Sequence, residues 1–295
     1  MLRKYLLFLS LRRVNSFRSF ILQKPCRAVK TLPIFSLEGR TCVVTGAARG
    51  LGKEFLTAFA LSGARGACVD LTLSASEESV RHITEHVAKS TDITCDLRPY
   101  ACNATVESDV KQTWDKIVSD FGKVDVLVTA AGIVDNVEAE NYDFPRWRKM
   151  LDINLDGTWL FARAAGKHML AQHIRGSIIL IASMSATICV RPQKQAAYNA
   201  SKGAVQMLAK SLATEWGPHG IRVNSLSPGY MHTDLIKNLL EKEGKQLVDN
   251  WQKDIPLGRM AHPSELHGTI VWMASNASSY LNGSDVIVDG GYTCW

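Results

Sequence analysis

The chain lacks the cysteine spacing that metal sites and redox motifs use. Its seven cysteines include no CxxC pair and no cluster of metal-ligand type. Cys42 and Cys68 fall inside apolar runs, where free cysteine behaves as a small buried residue. We therefore expect reduced thiols and no structural metal.

Long apolar runs, internal repeats and low-complexity tracts are also missing. The apolar run at residues 5–11 is too short for a membrane span, which needs about 20 residues. No integral membrane span is therefore predicted. The 295 residues, 46% of them hydrophobic, are enough for one large core in a single domain.

Acidic residues are absent before Glu38, whereas the first 37 residues hold eight basic ones. The remaining 26 Lys and Arg against 28 Asp and Glu leave a charge of −2, so the formal +6 does not indicate a nucleic-acid-binding surface. An arginine-rich, acid-free, serine-containing N-terminus resembles a mitochondrial transit peptide; a secretory signal and a disordered basic tail are the alternatives. We predict a leader over 1–35, a domain over 36–295, and a mitochondrial or otherwise cytoplasmic location.

A strand, a glycine-rich turn and a helix follow one another near the start of this domain. Residues 41–45 form a strand-like run, then comes GAARGLG with Gly46, Gly50 and Gly52, and then a helical pattern. Glycines let the backbone approach a pyrophosphate, and the helix N-terminus presents free N–H groups to it. Taken alone, the GxxxGxG spacing also suits an ordinary strand-to-helix turn, because it differs from GxGxxG.

Asp70 ends a second strand-like run, 18 residues after Gly52. A carboxylate there can accept hydrogen bonds from an adenosine ribose; a turn or helix-capping aspartate is the alternative. The later pattern alternates strands and helices, which predicts an α/β fold with a parallel sheet and helices on both faces. The strand-like runs are 99–102, 125–129, 177–183, 221–226 and 285–288, and the helical stretches lie near 106–121, 143–172, 197–216 and 263–275.

Tyr198 and Lys202, in the run YNASK, lie one helical turn apart and share a helix face. A cation at that distance favours the phenolate, so we expect the pKa of Tyr198 to fall from about 10 toward working pH. Ser183, fifteen residues upstream, follows an apolar strand and can stabilise charge on a substrate oxygen. Ser185, thirteen residues upstream, is the alternative. A lone YxxxK pattern is more typical of an ordinary helix surface, because Tyr and Lys are common there.

Together with Asn154 in INLDGTW and the run SPGYMHTDL, these motifs resemble the short-chain dehydrogenase/reductase family over residues 36–292. The ASMSA stretch and Asp70-Leu71 are most similar to fungal-type polyol dehydrogenases and carbonyl reductases. The resemblance implies a single Rossmann-type doubly wound parallel sheet, a nicotinamide cofactor, a small-molecule substrate, a homo-oligomer (dimer or tetramer), and a catalytic group of Asn154, Ser183, Tyr198 and Lys202. It also implies a cofactor-binding set: Gly46, Arg49, Gly50, Leu51, Gly52, Asp70, Asn103, Ala131, Gly132, Tyr198, Lys202, Pro228, Gly229 and Thr233.

Two positions depart from the family pattern. The family commonly carries NNAG after the fourth strand, whereas this chain has TAAG at 129–132 and so lacks an asparagine side chain. Asn103 stands where an adenine-binding Asp is frequent, and it keeps a carbonyl acceptor while adding a donor. Residues 231–252 resemble a mobile lid hinged at Gly229, with a plain surface helix pair as the alternative.

The predicted reaction is reversible hydride transfer between a nicotinamide and a secondary alcohol or ketone, with Tyr198 as the proton donor or acceptor. Lys202 is expected to lower the tyrosine pKa and hold the nicotinamide ribose. Asp70 favours NAD because its charge repels a 2′-phosphate, although Arg49 can pair with that phosphate of NADP. An NADPH-dependent ketone reductase of a biosynthetic pathway and a non-catalytic dinucleotide sensor are the alternatives.

The sequence does not identify the substrate. The expected pocket residues are apolar at Ile188, Val190, Tyr230 and Met231 and polar at Asn136 and Gln193. This mixture suits a polyol, a sugar alcohol or another small hydroxy compound, and it also suits a hydrophobic ketone.

Overall fold

Seven strands form one parallel sheet in the computed structural model, which describes residues 32–233 and 251–295. The strands are β1 (Thr41–Thr45), β2 (Arg65–Asp70), β3 (Leu97–Ala101), β4 (Val126–Thr129), β5 (Ser177–Ile181), β6 (Arg222–Pro228) and β7 (Asp285–Val288). Their order is β3-β2-β1-β4-β5-β6-β7, all pairs parallel. The direction of winding reverses between β1 and β4, and ligands of doubly wound sheets bind outside the carboxyl ends of strands at such a point.

Helices cover both faces of this sheet, as predicted. They are α1 (Gly50–Leu61), α2 (Leu73–Ser90), α3 (Glu107–Phe121), α4 (Phe144–Leu151), α5 (Gly157–Ala171), α6 (Ala196–Trp216) and α7 (His267–Ala274). The single helix expected over 143–172 is instead α4 and α5 joined by a π-helical segment, Asp152–Asp156. A single wide turn of this kind is common at functional sites, and Asn154 lies in it.

Alternation along the strands divides the core in two. Val43 and Leu127 pack with α3, α5 and α6, whereas Val44 and Val128 pack with α1, α2 and α7. Successive side chains of a strand point to opposite faces, so a strand covered on both faces is largely apolar. That is why β1, β4 and β5 are buried at every position and read as continuous apolar runs.

Strand ends differ from the predicted ones by one or two residues. The run predicted over 177–183 ends at Ile181, and Ala182 makes the last bond toward β6. Ser183 opens a short 3-10 turn, Met184–Ala186, and its Oγ accepts a hydrogen bond from the N–H of Ser185. The prediction was too long because it rested on apolar composition, which does not show where the ladder of hydrogen bonds stops.

Some expectations fall outside the described residues. Residues 1–31 of the predicted leader and residues 234–250 of the predicted lid are not described. The described residues between Leu32 and Trp295 belong to one compact unit. Over the ranges given above, no helix is both long and apolar enough to cross a membrane, and no group of His, Cys, Asp and Glu is placed to hold a metal.

Gly166 on α5 lies against the indole of Trp216 at the end of α6. A Cβ at position 166 would lie 2.6 Å from Trp216 Cζ2, so Gly166→Ala should cost about 1–3 kcal/mol through overpacking. Gly268 on α7 has no atom within 4 Å of an added Cβ, so Gly268→Ala should stabilise the protein by roughly 0.5–1 kcal/mol. Urea unfolding of the two variants measures both effects, and equal stabilities would contradict this packing.

Candidate active site

The four residues expected to act on the substrate gather at the carboxyl edge of the sheet. Ser183 follows β5, Tyr198 and Lys202 lie on α6, and Asn154 lies in the π-helical segment. Ser183, Lys202 and Asn154 are buried, and Tyr198 is partly exposed. Gly132, expected to contact the cofactor, lies beside them: a Cβ added to it would be 3.3 Å from Asn154 Oδ1 and 3.6 Å from Lys202 Nζ.

Lys202 and Tyr198 form the centre of this group. The Lys202 ammonium lies 5.8 Å from the centroid of the Tyr198 ring and donates a 2.8 Å hydrogen bond to the carbonyl oxygen of Ile181. Burial lowers the pKa of Lys202 to about 8. Burial also raises the pKa of Tyr198, while hydrogen bonding with Ser183 acts in the opposite direction.

The predicted lowering of the Tyr198 pKa by Lys202 is therefore wrong for this arrangement. Desolvation penalises the phenolate, and the ammonium is bonded to a carbonyl oxygen. Burial therefore favours the protonated phenol of Tyr198, which is the form that can give a proton to a carbonyl oxygen. Lys202, with a pKa near working pH, can take up or release a proton beside it.

Asn154 joins α6 to the loop after β4. Its Oδ1 accepts from the N–H of Ile133 at 2.8 Å, and its Nδ2 donates to the Ile133 carbonyl and to Ser201 Oγ, both at 3.0 Å. The Ser201 hydroxyl in turn donates to the carbonyl oxygen of Tyr198 at 2.7 Å, and Thr158 donates to that of Asn154 at 2.8 Å. Asn154 thus positions Tyr198 through Ser201.

Sequence reasoning missed Ser201 and Thr158 as members of this network. A signal existed for both: Ser201 is the serine of YNASK, and Thr158 follows Asn154 by four residues, one turn along the helix. A serine or threonine in the sequence does not by itself show whether its side chain joins a buried network or faces solvent.

The glycine turn after β1 is built by close backbone approach. A Cβ at Gly46 would lie 2.7 Å from the Cα of Ala131, and one at Gly52 would lie 2.7 Å from the carbonyl carbon of Gly46. Gly46 and Gly50 also adopt left-handed φ values of 65° and 55°. Side chains at positions 46 and 52 would therefore open the turn.

The N-terminus of α1 has the features of an anion site. Arg49 occupies the N-cap without a side-chain cap, and the first turn has no acidic residue. No atom lies within 4 Å of a Cβ added at Gly50, and Leu51 packs against the half of the core that contacts α1, α2 and α7. The free N–H groups and the positive end of the helix dipole are therefore available to a phosphate.

Asp70 lies beside this turn, at the end of β2. Its Oδ2 accepts from the N–H of Ala48 at 2.9 Å, and its Oδ1 accepts from that of Leu71 at 2.8 Å. The carboxylate is thus bonded to the glycine turn and does not cap α2, whose N-cap is Thr72.

The remaining predicted cofactor residues lie along the same edge. Asn103 Oδ1 accepts from the N–H and hydroxyl of Thr105, at 3.1 and 2.8 Å, so its carbonyl is already engaged. The hydroxyl of Thr129, at the position of the missing asparagine, is buried without a partner among the described residues. The N–H of Ala131 donates to Thr45 Oγ1 at 3.3 Å, and Pro228 is the last residue of β6. The N–H of Gly229 donates to the carbonyl oxygen of Val288 at 2.9 Å, and the N–H of Thr233 donates to the carbonyl oxygen of Met231 at 2.8 Å.

Glycine turn, uncapped helix and acid together fit a nicotinamide dinucleotide. When bound, such a group supplies or accepts a hydride. The chain's own residues then orient the substrate oxygen through Ser183 and move its proton through Tyr198.

An aromatic cluster stands next to these groups. Tyr230 stacks on Trp251 with centroids 4.6 Å apart and meets Tyr292 edge-on at 5.5 Å. The Gln193 amide lies 2.7 Å from the Tyr230 hydroxyl, and in the amide orientation that satisfies both of its ends its oxygen accepts from Trp251 Nε1 at 2.9 Å. Gln193 therefore fixes the cluster, and Asn136, the other expected polar residue, accepts from Gln195 at 2.9 Å. No sequence motif pointed to Trp251 or Tyr292, which are distant along the chain.

The two candidate serines differ in what they contact. Ser183 lies by the Tyr198 side chain, whereas Ser185 offers its backbone N–H to Ser183 Oγ. We expect Ser183→Ala to lower kcat by roughly 10²-fold, because a donor to the developing charge is lost. Ser185→Ala keeps that N–H and should change kcat by less than about threefold. Steady-state assays decide between them, and the reverse ranking would assign the role to Ser185.

Comparison with known proteins covers nearly all of this domain. A family model described as enoyl-(acyl carrier protein) reductase matches residues 46–293. A sorbose reductase of Candida albicans is 39% identical, over 89% of this chain and 90% of its own length. A ribulose-forming D-arabinitol 2-dehydrogenase of Scheffersomyces stipitis is 35% identical, over 90% and 97%.

Solved structures agree with this match. A short-chain type dehydrogenase/reductase from Mycobacterium marinum superposes with a TM-score of 0.82 at 37% identity, covering 89% of this chain and 98% of that one. A gluconate 5-dehydrogenase from Burkholderia cenocepacia, in complex with NADP and tartrate, gives 0.78 at 30% identity, covering 89% and 98%.

Proposed function

Because the chain belongs to the short-chain dehydrogenase/reductase family, we propose that it interconverts a polyol and the matching ketose with NAD. It is an NAD(P)-dependent oxidoreductase of secondary alcohols. The observation that carries the proposal is the geometry of the site: Tyr198 lies beside Ser183, and the buried Lys202 Nζ is 5.8 Å from the centroid of the tyrosine ring.

The polyol class is supported by the relatives and by the polarity of the site. Sorbose reductase and D-arabinitol 2-dehydrogenase are named for sugar-type substrates. In this chain the Tyr230 hydroxyl and the Gln193 amide stand among apolar side chains near Ser183. A few fixed polar groups in an otherwise apolar wall can orient a molecule that carries several hydroxyls.

NAD is supported by the place of the Asp70 carboxylate. It is bonded to the N–H of Ala48 in the glycine turn, where a ribose hydroxyl is a favourable partner and a 2′-phosphate is repelled. Arg49, the N-cap of α1, is the feature that favours NADP instead.

The test is absorbance at 340 nm with NAD and NADP against D-arabinitol, galactitol, sorbitol and simple secondary alcohols, and against ketoses with the reduced cofactors. Turnover of polyols with NAD supports the proposal. Turnover of apolar ketones with NADPH alone would favour a biosynthetic ketone reductase. Cofactor binding without any turnover would favour a dinucleotide sensor.

Replacing Asp70 should move the cofactor preference. Asp70→Asn keeps the shape of the side chain but removes the charge, so the NADP to NAD ratio of kcat/KM should rise by roughly 10–100-fold, about 1.4–2.8 kcal/mol. Asp115→Asn, at an exposed residue paired with Lys111, is the control and should leave the ratio unchanged. A ratio unmoved by Asp70→Asn would transfer the choice of cofactor to another residue.

We also propose a mitochondrial address for the basic leader. The support is its composition, rich in arginine and free of acid up to Glu38. Residues 1–35 fused to a fluorescent protein should direct it to mitochondria, and diffuse fluorescence would reject the proposal.

Self-association is proposed on the exposed apolar residues. Met207 on α6 and Trp295 at the C-terminus are 60% and 78% exposed, and β7 is an edge of the sheet. Light scattering after size-exclusion should give a mass at least twice that of the chain, and a monomer would reject the proposal.

A further inference from the structure

A cleft lined by arginines lies at the amino ends of the strands, on the side of the sheet opposite the glycine turn. Its volume is about 600 Å³, and its lining includes Arg40, Arg175 and Arg222 but no acidic side chain. Arg40 precedes β1, Arg175 precedes β5, and Arg222 begins β6. Since the strands are parallel, the cleft opens at their amino ends, whereas Ser183 and Asp70 lie at or beyond carboxyl ends.

Neutral oxygens occupy only some of the arginine N–H groups. Of the five that a guanidinium carries, Arg40 uses two, toward the Ala274 carbonyl and Asn276 Oδ1. Arg222 makes three bonds, to carbonyls of Leu281, Met273 and Ser275. Several N–H groups on both side chains are therefore left for another acceptor.

Arg175 is the arginine with most donors to offer. It is exposed and packs on Gly220, where an added Cβ would lie 3.0 Å from its Nε. It makes no hydrogen bond or ion pair with the residues of 32–233 and 251–295. Asn276 Nδ2 and the Ser279 hydroxyl add neutral donors to the lining.

No acidic side chain lines the cleft, and the Asp125 carboxylate, which accepts from the N–H of Thr41 beside Arg40, is paired with Lys123 at 2.9 Å. The carbonyls at the end of α7 carry only the partial charge of a helix C-terminus, roughly half an elementary charge. Burial, and then the charge of Arg40, lower the pKa of Arg222 to about 10. An anion entering between the guanidiniums would remove this repulsion.

We propose that the arginine cleft, formed by Arg40, Arg175 and Arg222, binds the phosphate group of a small phosphorylated metabolite. Guanidinium forks match phosphate oxygens in bidentate geometry. The cleft is larger than one phosphate ion, and its volume lies in the range of small-molecule sites, about 300–1,000 Å³. This site is independent of the proposed polyol activity and of the cofactor turn.

Calorimetric titration of the full-length protein tests the proposal. NAD at saturation keeps the cofactor turn occupied, and the titrants are glucose 6-phosphate, inorganic phosphate and glucose at constant ionic strength. Saturable binding of glucose 6-phosphate, with none of glucose, is expected. Equal binding of inorganic phosphate would also support the site, with the free ion as its ligand.

The matched variants locate the binding. Arg175→Ala removes the most available guanidinium and should weaken phosphate binding at least tenfold, while polyol turnover and thermal unfolding stay as in the wild type. Arg81→Ala, at an exposed arginine of α2, should bind as the wild type does. Unchanged binding in Arg175→Ala, or no saturable binding by the wild type of either phosphate compound at millimolar concentration, would overturn the proposal.

Discussion

Tyr198→Phe is expected to lower kcat by about 10³-fold while cofactor binding stays within twofold. The change deletes only the hydroxyl beside Ser183 and keeps the ring that packs 5.8 Å from Lys202 Nζ. General acid–base groups contribute typically about 10²–10⁴-fold. Steady-state rates at 340 nm and cofactor titration by protein fluorescence measure the two quantities separately.

A matched tyrosine separates chemistry from folding. Tyr100→Phe on β3 deletes a hydroxyl that bonds Asp120 at 2.8 Å, away from the catalytic group, and should leave kcat unchanged. If Tyr198→Phe retained more than a tenth of the activity, another group would have to carry the proton. If it also lost cofactor binding, the hydroxyl would have a structural role instead.

Lys202→Met is expected to lower activity strongly and yet stabilise the protein. Lys202 is 5% exposed, and burial lowers its pKa to about 8, against about 10.4 in an unfolded chain. Between these two pH values the unfolded chain binds more protons, so stability rises with pH across that window. Below about pH 8 the full cost of burying the charge is present.

Methionine removes that cost but leaves the Ile181 carbonyl without its 2.8 Å partner. The net gain at pH 7 should be about 1–2 kcal/mol, or roughly 2–8 °C in Tm for a domain of this size. The advantage over the wild type should shrink as pH approaches 10. Activity should fall by roughly 10²–10³-fold, because the group that takes up or releases a proton beside Tyr198 is lost.

Lys210→Met provides the comparison on the same helix. Lys210 is exposed on α6, two turns further along, and its replacement should change neither Tm nor kcat appreciably. A Lys202→Met protein less stable than the wild type at pH 7 would show that the bond to Ile181 outweighs desolvation. Retained activity would remove Lys202 from the catalytic group.

The sequence by itself determined the fold class and the family, and the structure and the relatives confirm both. Strands covered on both faces are largely apolar, so β1, β4 and β5 were visible as apolar runs with a threonine or serine at an end. The motifs could be recognised because their spacing is local. One helical turn separates Tyr198 from Lys202, and Gly46, Gly50 and Gly52 lie within seven consecutive residues.

Only the tertiary structure decided the electrostatics and the partners of these residues. Local spacing placed a cation near Tyr198, but it could not show that both groups are desolvated, which reverses the expected pKa shift. Nor could it show the bonds of Asn154 to Ile133 and Ser201, or the meeting of Arg40 with Arg222 at one end of α7. Burial and long-range contacts depend on how distant segments pack, and no local pattern carries that information.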